Sequence, residues 1–322
     1  MGIKNDNTSM RDFLNKIFSI DTKNASRVII YILGIKIRFL KAEYKNKINE
    51  YKSLECPIGE LPKAEGMLRK IQLASLKFLL IVDKICKENE IQYWSDFGNL
   101  LGAVRHGGFI PWDDDCDICM LRDHYDNFIM LFEKNPEKYP DIYIEFDNNG
   151  KNRCFVKIKH RQVKGISIDV FPFDYYYKKT NEQEKLELTD EIRKYNSRLG
   201  VKFCPFYINS TKMVRKRITK FTKEFLNKNQ PVNKEIEPSI FSGVDFPQRN
   251  INLVFDYETY FPLQQIDFEG VQITVPKDIH KVLTQEFGNY MELPEDCYPR
   301  HVVFGAFDEK ILDDFLADFN VR

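Results

Sequence analysis

Residues 93–120 read YWSDFGNLLGAVRHGGFIPWDDDCDICM: an aromatic run, a glycine-led turn, then four aspartates feeding a segment that alternates in character. The last part, Asp115–Leu121, predicts a strand. On a strand, residues two apart share a face. Asp115 and Asp117 would then project together, while Cys116, Ile118 and Met120 turn to a core. Two carboxylates on one face repel unless a cation lies between them, and burying them is costly unless they are used. Mg²⁺, or Mn²⁺ in its stead, is the economical partner, held by one or two carboxylates plus substrate phosphates. Asp113 and Asp114 extend the cluster from the preceding loop, where they orient a ligand or add negative field. A strand with solvated acids is the plain alternative.

Gly98-Asn99 follows a short predicted strand, Ile91–Ser95, and opens a short predicted helix over Gly98–His106. A glycine there lets a phosphate approach the backbone, and a helix N-terminus supplies N–H donors with a favourable dipole. Arg105 ends that helix beside His106. It either clamps a phosphate with its guanidinium fork or pairs with the acid cluster. A third carboxylate is expected to complete such a site. Ile166–Phe171 alternates, and Asp169 projects opposite Ile168 and Val170, which makes it the first candidate for general base or further metal ligand. Asp174, beyond Pro172, is the second.

Working outward, Glu65–Asn89 places Leu68, Ile71, Leu76, Leu79, Val82 and Cys86 at helical spacing. Asp123–Glu133 predicts a helix, Cys154–His160 and Gly165–Phe171 predict strands, and Ile266–Val275 predicts a hairpin around Glu269-Gly270. Pro276–Phe287 predicts a helix begun by its proline. Helices alternating with strands argue for an α/β (α+β) mixed sheet with flanking helices and a helical C-terminal part. Ser210–Lys228 predicts a basic amphipathic helix whose apolar stripe is Val214, Ile218, Phe221 and Phe225. Residues 1–62 form a basic, apolar-interleaved extension, broken from 63–322 by Pro57, Gly59 and Pro62. That extension either packs on the main domain or meets a membrane surface or partner.

Lysine plus arginine and aspartate plus glutamate both number 48, so the formal net charge is zero, which disfavours a nucleic acid partner. The longest apolar run, Val28–Ile35, is too short for a membrane span. Seven cysteines at irregular spacing and a polar N-terminus suit reduced thiols in the cytoplasm, with peripheral contact at the inner face of the membrane. Cys116 and Cys119 have the gap of a zinc knuckle, but no second pair lies near and a strand would turn them to opposite faces.

The 98–120 block, GNLLGAVRHGGFIPWDDDCDICM, resembles the signature of the LicD family, which includes bacterial phosphocholine transferases and the fukutin-related proteins. IDVFPFD at 168–174 is similar too, as is GVQITVPKDIHKVLTQEFGNYMELP at 270–294 with Arg300 and His301 beyond it. The likeness covers roughly residues 70–301. Asn99 departs from the family's usual threonine or serine, though asparagine also donates to phosphate. The resemblance implies a nucleotidyltransferase-like fold of the DNA polymerase β type. It implies transfer of phosphocholine from CDP-choline to a glycan or lipid-linked glycan hydroxyl, with CMP leaving; phosphoglycerol and phosphoribitol are the competing cargoes. By position, Gly98 and Asn99 hold phosphate and Asp115 and Asp117 hold Mg²⁺. Arg300 and His301, in the family-like tail, would touch donor phosphate or acceptor. Two other classes remain: an Asp-x-Asp glycosyltransferase, and a non-catalytic nucleotide or glycan binder on the same scaffold.

Overall fold

The computed structural model describes residues 18–21, 27–32, 35–54, 56–147, 155–176, 181–199, 239–243, 254–294, 297–302 and 304–319, with isolated positions between 216 and 227. The chain opens on an antiparallel sheet in which β1 (Phe18–Asp21) pairs with β2 (Arg27–Ile32) and β2 with β3 (Ile35–Leu40). Arg27–Leu40 alternates around Gly34, as a short strand or a hairpin would, and it forms the β2–β3 pair. Its Val28 faces Phe39 and its Ile30 faces Ile37. Ile37 and Phe39 are exposed. Helix α1 (Ala42–Ser53) follows, and its Tyr51 ring packs 5.4 Å from that of Trp112.

Helix α2 (Gly66–Glu88) realises the apolar spacing read over Glu65–Asn89, burying Ile71, Leu76, Phe78, Leu79, Val82 and Ile85. Asn89 stops it by donating its side-chain amide to the Ile85 carbonyl at 2.7 Å. Strand β4 is only Trp94–Ser95, shorter than expected. Helix α3 (Phe97–His106) is capped by Asp96, whose carboxylate accepts from the Phe97 N–H at 3.0 Å. It ends at Gly107, φ 63°, with the Gly107 and Gly108 N–H groups donating back to Ala103 and Gly102; this left-handed C-terminal turn is a glycine position.

Strand β5 (Asp117–Leu121) leads into α4 (Arg122–Lys134), β6 (Ile142–Asp147), β7 (Phe155–His160), β8 (Ser167–Tyr176) and α5 (Glu182–Leu199). Then come β9 (Ser239–Ser242), β10 (Val254–Asp256), α6 (Tyr257–Tyr260), β11 (Gln264–Phe268), β12 (Val271–Val275), α7 (Ile279–Phe287) and α8 (Glu309–Leu316). Seven strands form one mixed sheet in the order β10-β9-β8-β5-β4, with β7 also on β8 and β6 on β7. Strands β5 and β8 run parallel; β8 meets β7 and β9 antiparallel. Strand β8 outruns the predicted Gly165–Phe171 because it changes partner, pairing β7 through Val170 and β9 from Phe173. The result is the expected α/β architecture of a mixed sheet flanked by helices.

Two expected helices need comment. Helix α7 starts at Ile279, not at Pro276, because Asp278 caps it by accepting from the Lys281 N–H at 3.0 Å. The basic helix over Ser210–Lys228 lies largely outside the described residues, its apolar stripe wholly so; the few positions described there, among them Lys216 and Lys220, are helical. Among the described residues no helix is long and apolar enough to cross a membrane.

The β11–β12 turn is locked by charge. Glu269 and Gly270 take φ 53° and 80°, an arrangement that disfavours a glutamate. Its carboxylate nevertheless receives Arg69 at 2.8 and 2.7 Å, Lys63 at 2.6 Å and the Phe109 N–H at 3.2 Å. Its own N–H donates to the Gly107 carbonyl at 2.8 Å, so the hairpin braces the end of α3. Burial opposes ionisation, but Arg69 and Lys63 hold this carboxyl down at about 2. A depressed carboxyl pKa contributes stability above the unfolded value, lost as pH falls through it toward the folded one. Glu269→Gln should therefore cost about 3 kcal/mol at pH 7. The gap from the parent protein should close between pH 4.5 and 2 in urea melts at each pH. A gap unchanged at pH 2 would refute this account.

Candidate active site

Strand register brings the acids together. Asp117 on β5 stands opposite Asp169 on β8, and Lys157 on β7 stands opposite Asp169 from the other side. Directly opposed residues face the same side of a sheet, so the three form one row. Ile168 and Val170, flanking Asp169, are fully buried on the reverse face. Asp115 lies just before β5 and not in it, a correction to the strand predicted from Asp115. The Asp169 N–H donates to the Cys116 carbonyl at 2.9 Å, so the backbone there already runs against β8. Asp115, Asp117 and Asp169 all line one cavity of about 850 Å³.

Their electrostatics are strained. Burial first, and then Asp115 and Asp169, push the Asp117 carboxyl well above its ordinary value. Burial, Asp115 and Asp114 do the same to Asp113. Burial works against Asp115 too, yet hydrogen bonding with His301 holds it below its ordinary value. His301 Nδ1 lies 2.9 Å from Asp115 Oδ2 and 3.1 Å from Asp114 Oδ1. Those two bonds, opposed by burial, lift the imidazole to about 11. Asp114 also accepts the His301 and Val302 N–H groups at 2.8 and 2.7 Å, tying the C-terminal segment to the acid wall. Asp169 is pushed up to about 6 by burial, against the pull of Lys157. Lys157 Nζ reaches its two oxygens at 2.7 and 2.6 Å and lies 5.1 Å from the Phe155 ring centre.

Among the described residues, Asp114, Asp115 and His301 bring one ligand atom each within 4.8 Å of one another. That set differs from the Asp115–Asp117 pair expected from strand alternation, although Asp117 lines the same cavity.

Gly98 sits against the acids, in the first turn of α3. A Cβ on it would lie 2.6 Å from Asp113 Oδ2, closer than real side chains come, so the residue is glycine for close approach rather than for its φ. Gly98→Ala should push Asp113 aside and lower turnover about 100-fold, the scale of an ångström's misplacement, while the helix keeps its melting temperature. Unchanged turnover in that variant would release Gly98 from the site. Phe97, just before it, adopts φ 49°, a left-handed backbone that a bulky residue rarely takes. Its ring packs edge-on against Phe171 at 5.6 Å.

Asn99, Arg105, Asp174 and Arg300 lie elsewhere than on the wall of this cavity. Asn99 is buried and does not face the cavity: its amide donates to Cys116 Sγ at 3.0 Å, and its oxygen accepts the Asp117 N–H at 3.3 Å. It sets where β5 begins, in place of holding phosphate with its side chain. Arg105 is also buried; it donates to the Tyr290 carbonyl at 2.9 Å and lies 5.9 Å from the Trp112 ring centre. It lines a second cavity of about 500 Å³, as does Arg300. Asp174 is fully buried in a two-pronged ion pair with Arg122, at 2.7 and 2.8 Å, and lines neither cavity. That leaves Asp169 as the candidate base.

Sequence reasoning missed Lys157, whose role needs the β7–β8 register, and the Asp114–His301 contact, which spans 187 residues. It also missed Glu286 on α7. Both Glu286 oxygens are buried with no hydrogen-bond partner among the described residues, and burial with Asp96 and Asp117 pushes that carboxyl well above its ordinary value.

Residues 90–195 match the family model described as LicD/FKTN/FKRP, nucleotidyltransferase domain. That span holds β5, β7 and β8, which carry the row of Asp117, Lys157 and Asp169, together with β4 and α3. The chain is 28% identical over 259 residues to a lipopolysaccharide cholinephosphotransferase LicD of Haemophilus influenzae, covering 73% of this chain and 96% of that one. It is 28% identical over 83 residues to the human ribitol 5-phosphate transferase FKRP, 26% of this chain and 17% of that one. An uncharacterized protein of Rickettsia typhi is 35% identical over 104 residues, 29% of this chain and 32% of its own. Residues 90–195 are thus similar to the LicD-type nucleotidyltransferase domain, and most of the chain is similar to a LicD protein.

Proposed function

We propose that this protein transfers a phospho-alcohol from a CDP-activated donor to a hydroxyl of a surface glycan or its lipid-linked precursor, with phosphocholine as the cargo. The observation that carries the reading is the convergence of Asp115, Asp117 and Asp169 on one cavity walled by Gly98. The long alignment with a lipopolysaccharide cholinephosphotransferase favours choline. The shorter one with a ribitol 5-phosphate transferase makes phosphoribitol the alternative cargo.

The donor set suits Mg²⁺: hard carboxylate oxygens, with Asp113 and Asp117 driven toward neutrality by burial and then by Asp115. Asp115 and Asp117 would hold the ion, with Asp114 within reach. When bound, it neutralises charge on the donor's phosphates. The chain's own residues then have distinct tasks. Gly98 admits a phosphate oxygen close to the start of α3, whose dipole favours it. Asp169 accepts the proton of the acceptor hydroxyl, and its raised pKa, about 6, suits a base working near neutrality. Lys157 orients Asp169 by bonding both its oxygens. The acceptor oxygen bonds to the alcohol-bearing phosphorus, the bridging P–O bond breaks, and its electron pair leaves with CMP.

We place the enzyme at the inner face of the cytoplasmic membrane, a reading supported by Ile37 and Phe39 standing exposed on a strand that also carries Lys36 and Arg38. The test is incubation with Mg²⁺ and CDP-choline, CDP-glycerol or CDP-ribitol, measuring CMP with and without glycan. CDP-choline should give the fastest CMP release. Release of UDP or GDP from nucleotide sugars would favour a glycosyltransferase, and no release from any CDP-alcohol would sink the proposal.

A further inference from the structure

The two cavities adjoin. Gly98, Asp113, Asp114, Phe287 and His301 line both, so the acid wall separates a larger chamber from a smaller one. We infer that the smaller chamber seats the cytidine monophosphate half of the donor, while the acceptor enters through the larger. The inference rests on the transfer proposed above.

In-line displacement puts the attacking and leaving oxygens on opposite sides of phosphorus. Asp169, which takes the acceptor's proton, lines the larger chamber only. The acceptor oxygen therefore bonds to phosphorus from that side. The P–O bond to the nucleotide breaks on the other side, where its electron pair stays on the CMP phosphate. Beyond Gly98 and His301 on that side lies the smaller chamber.

Its chemistry fits a nucleoside monophosphate. Four aromatic rings line it, Phe287 on the shared wall and Trp112, Tyr290 and Tyr298 in this chamber alone, and they offer faces on which a base can stack. Two guanidiniums, Arg105 and Arg300, are there for the phosphate. Arg105 is 5% exposed and fixed between the Tyr290 carbonyl and the Trp112 ring, so it is held in place before any ligand arrives. Glu292 and Asn289, bonded to each other, stand on the same lining. A carboxylate accepts from the exocyclic amine of cytosine, whereas uracil offers an oxygen there. Glu292 thus gives the chamber a reason to prefer CMP over UMP. The larger chamber has a different character: Lys159, Lys164 and Tyr143 line it and not the smaller one.

Calorimetric titration of the full chain with CMP and UMP, in the presence of Mg²⁺, tests the assignment. Tyr298→Ala and Arg300→Ala should each weaken CMP binding about tenfold, whereas Tyr298→Phe, which keeps the ring, should retain it. Glu292→Gln should narrow the preference for CMP over UMP. Lys159→Ala, in the larger chamber, should leave the CMP Kd within about twofold, because it touches neither base nor phosphate. The inference is overturned if Lys159→Ala weakens CMP more than Tyr298→Ala and Arg300→Ala do, or if those two folded variants bind CMP like the parent. In that case CMP release from a CDP-alcohol by the parent would leave the transfer reaction standing. Conversely, CMP binding that follows the expected pattern without release from any CDP-alcohol supports the chamber and removes the reaction.

Discussion

Asp117→Asn is expected to lower CMP release about 1,000-fold while leaving the melting temperature unchanged or higher. The two halves of that expectation have separate causes. Activity falls because an amide is a poor ligand for a hard cation and cannot balance the charge of the donor's phosphates. Stability does not fall because the parent carboxyl is already uncomfortable, forced well above its ordinary pKa by burial, Asp115 and Asp169. Asparagine keeps the shape and removes the repulsion, an instance of a functional group carried at the expense of stability. The measurement is CMP release under saturating CDP-alcohol, beside a thermal melt of the metal-free protein. Turnover within tenfold of the parent would remove Asp117 from the site; a large drop in melting temperature would mean that it is structural.

Asp174→Ala should do the reverse, destabilising the fold by about 4 kcal/mol, because it removes the buried carboxylate that accepts two hydrogen bonds from the Arg122 guanidinium. Asp174 has no exposed surface and engages Arg122 through two oxygens at 2.7 and 2.8 Å. The pair ties the start of α4 to β8 near the point where that strand passes from β7 to β9. Urea melts would read the loss as a lower midpoint at unchanged slope. Below the new midpoint, the surviving folded fraction should still turn over, since Asp174 lines neither cavity. Turnover lost from a fully folded Asp174→Asn protein would instead return this residue to the list of candidate bases.

Asp169 and Asp174 also show what the chain order could and could not reveal. Both sit beside apolar alternation, and from spacing alone either Asp169 or Asp174 could serve as the third acid. Spacing placed Asp169 correctly on a strand face because alternation is a local property. It could not see Arg122, 52 residues away, closing on Asp174. Asn99 failed for a related reason. An asparagine near a helix start suits a ligand or a backbone bond equally, and only the packing of α3 against β5 commits it to Cys116 and Asp117. The long helix α2 and the β11–β12 hairpin were legible because periodicity and turn residues agreed. The start of α7 was misread because a proline and an aspartate competed for the cap, and the aspartate made the hydrogen bond. His301 was legible only through the family-like tail; its bond to Asp114 is tertiary.

One backbone angle has a meaning for the history of the chain. A phenylalanine at φ 49° costs about 1–2 kcal/mol over a glycine or an asparagine in the same place. Random substitution offers those cheaper residues continually, so a large ring persists at position 97 only while its descendants outcompete them. The ring packs on Phe171, both rings line the cavity, and its backbone leads into Gly98 beside Asp113. Position 97 is therefore a gauge of selection: a lineage that had abandoned the chemistry but kept the fold would be expected to lose its aromatic residue there before the core of α2 changed.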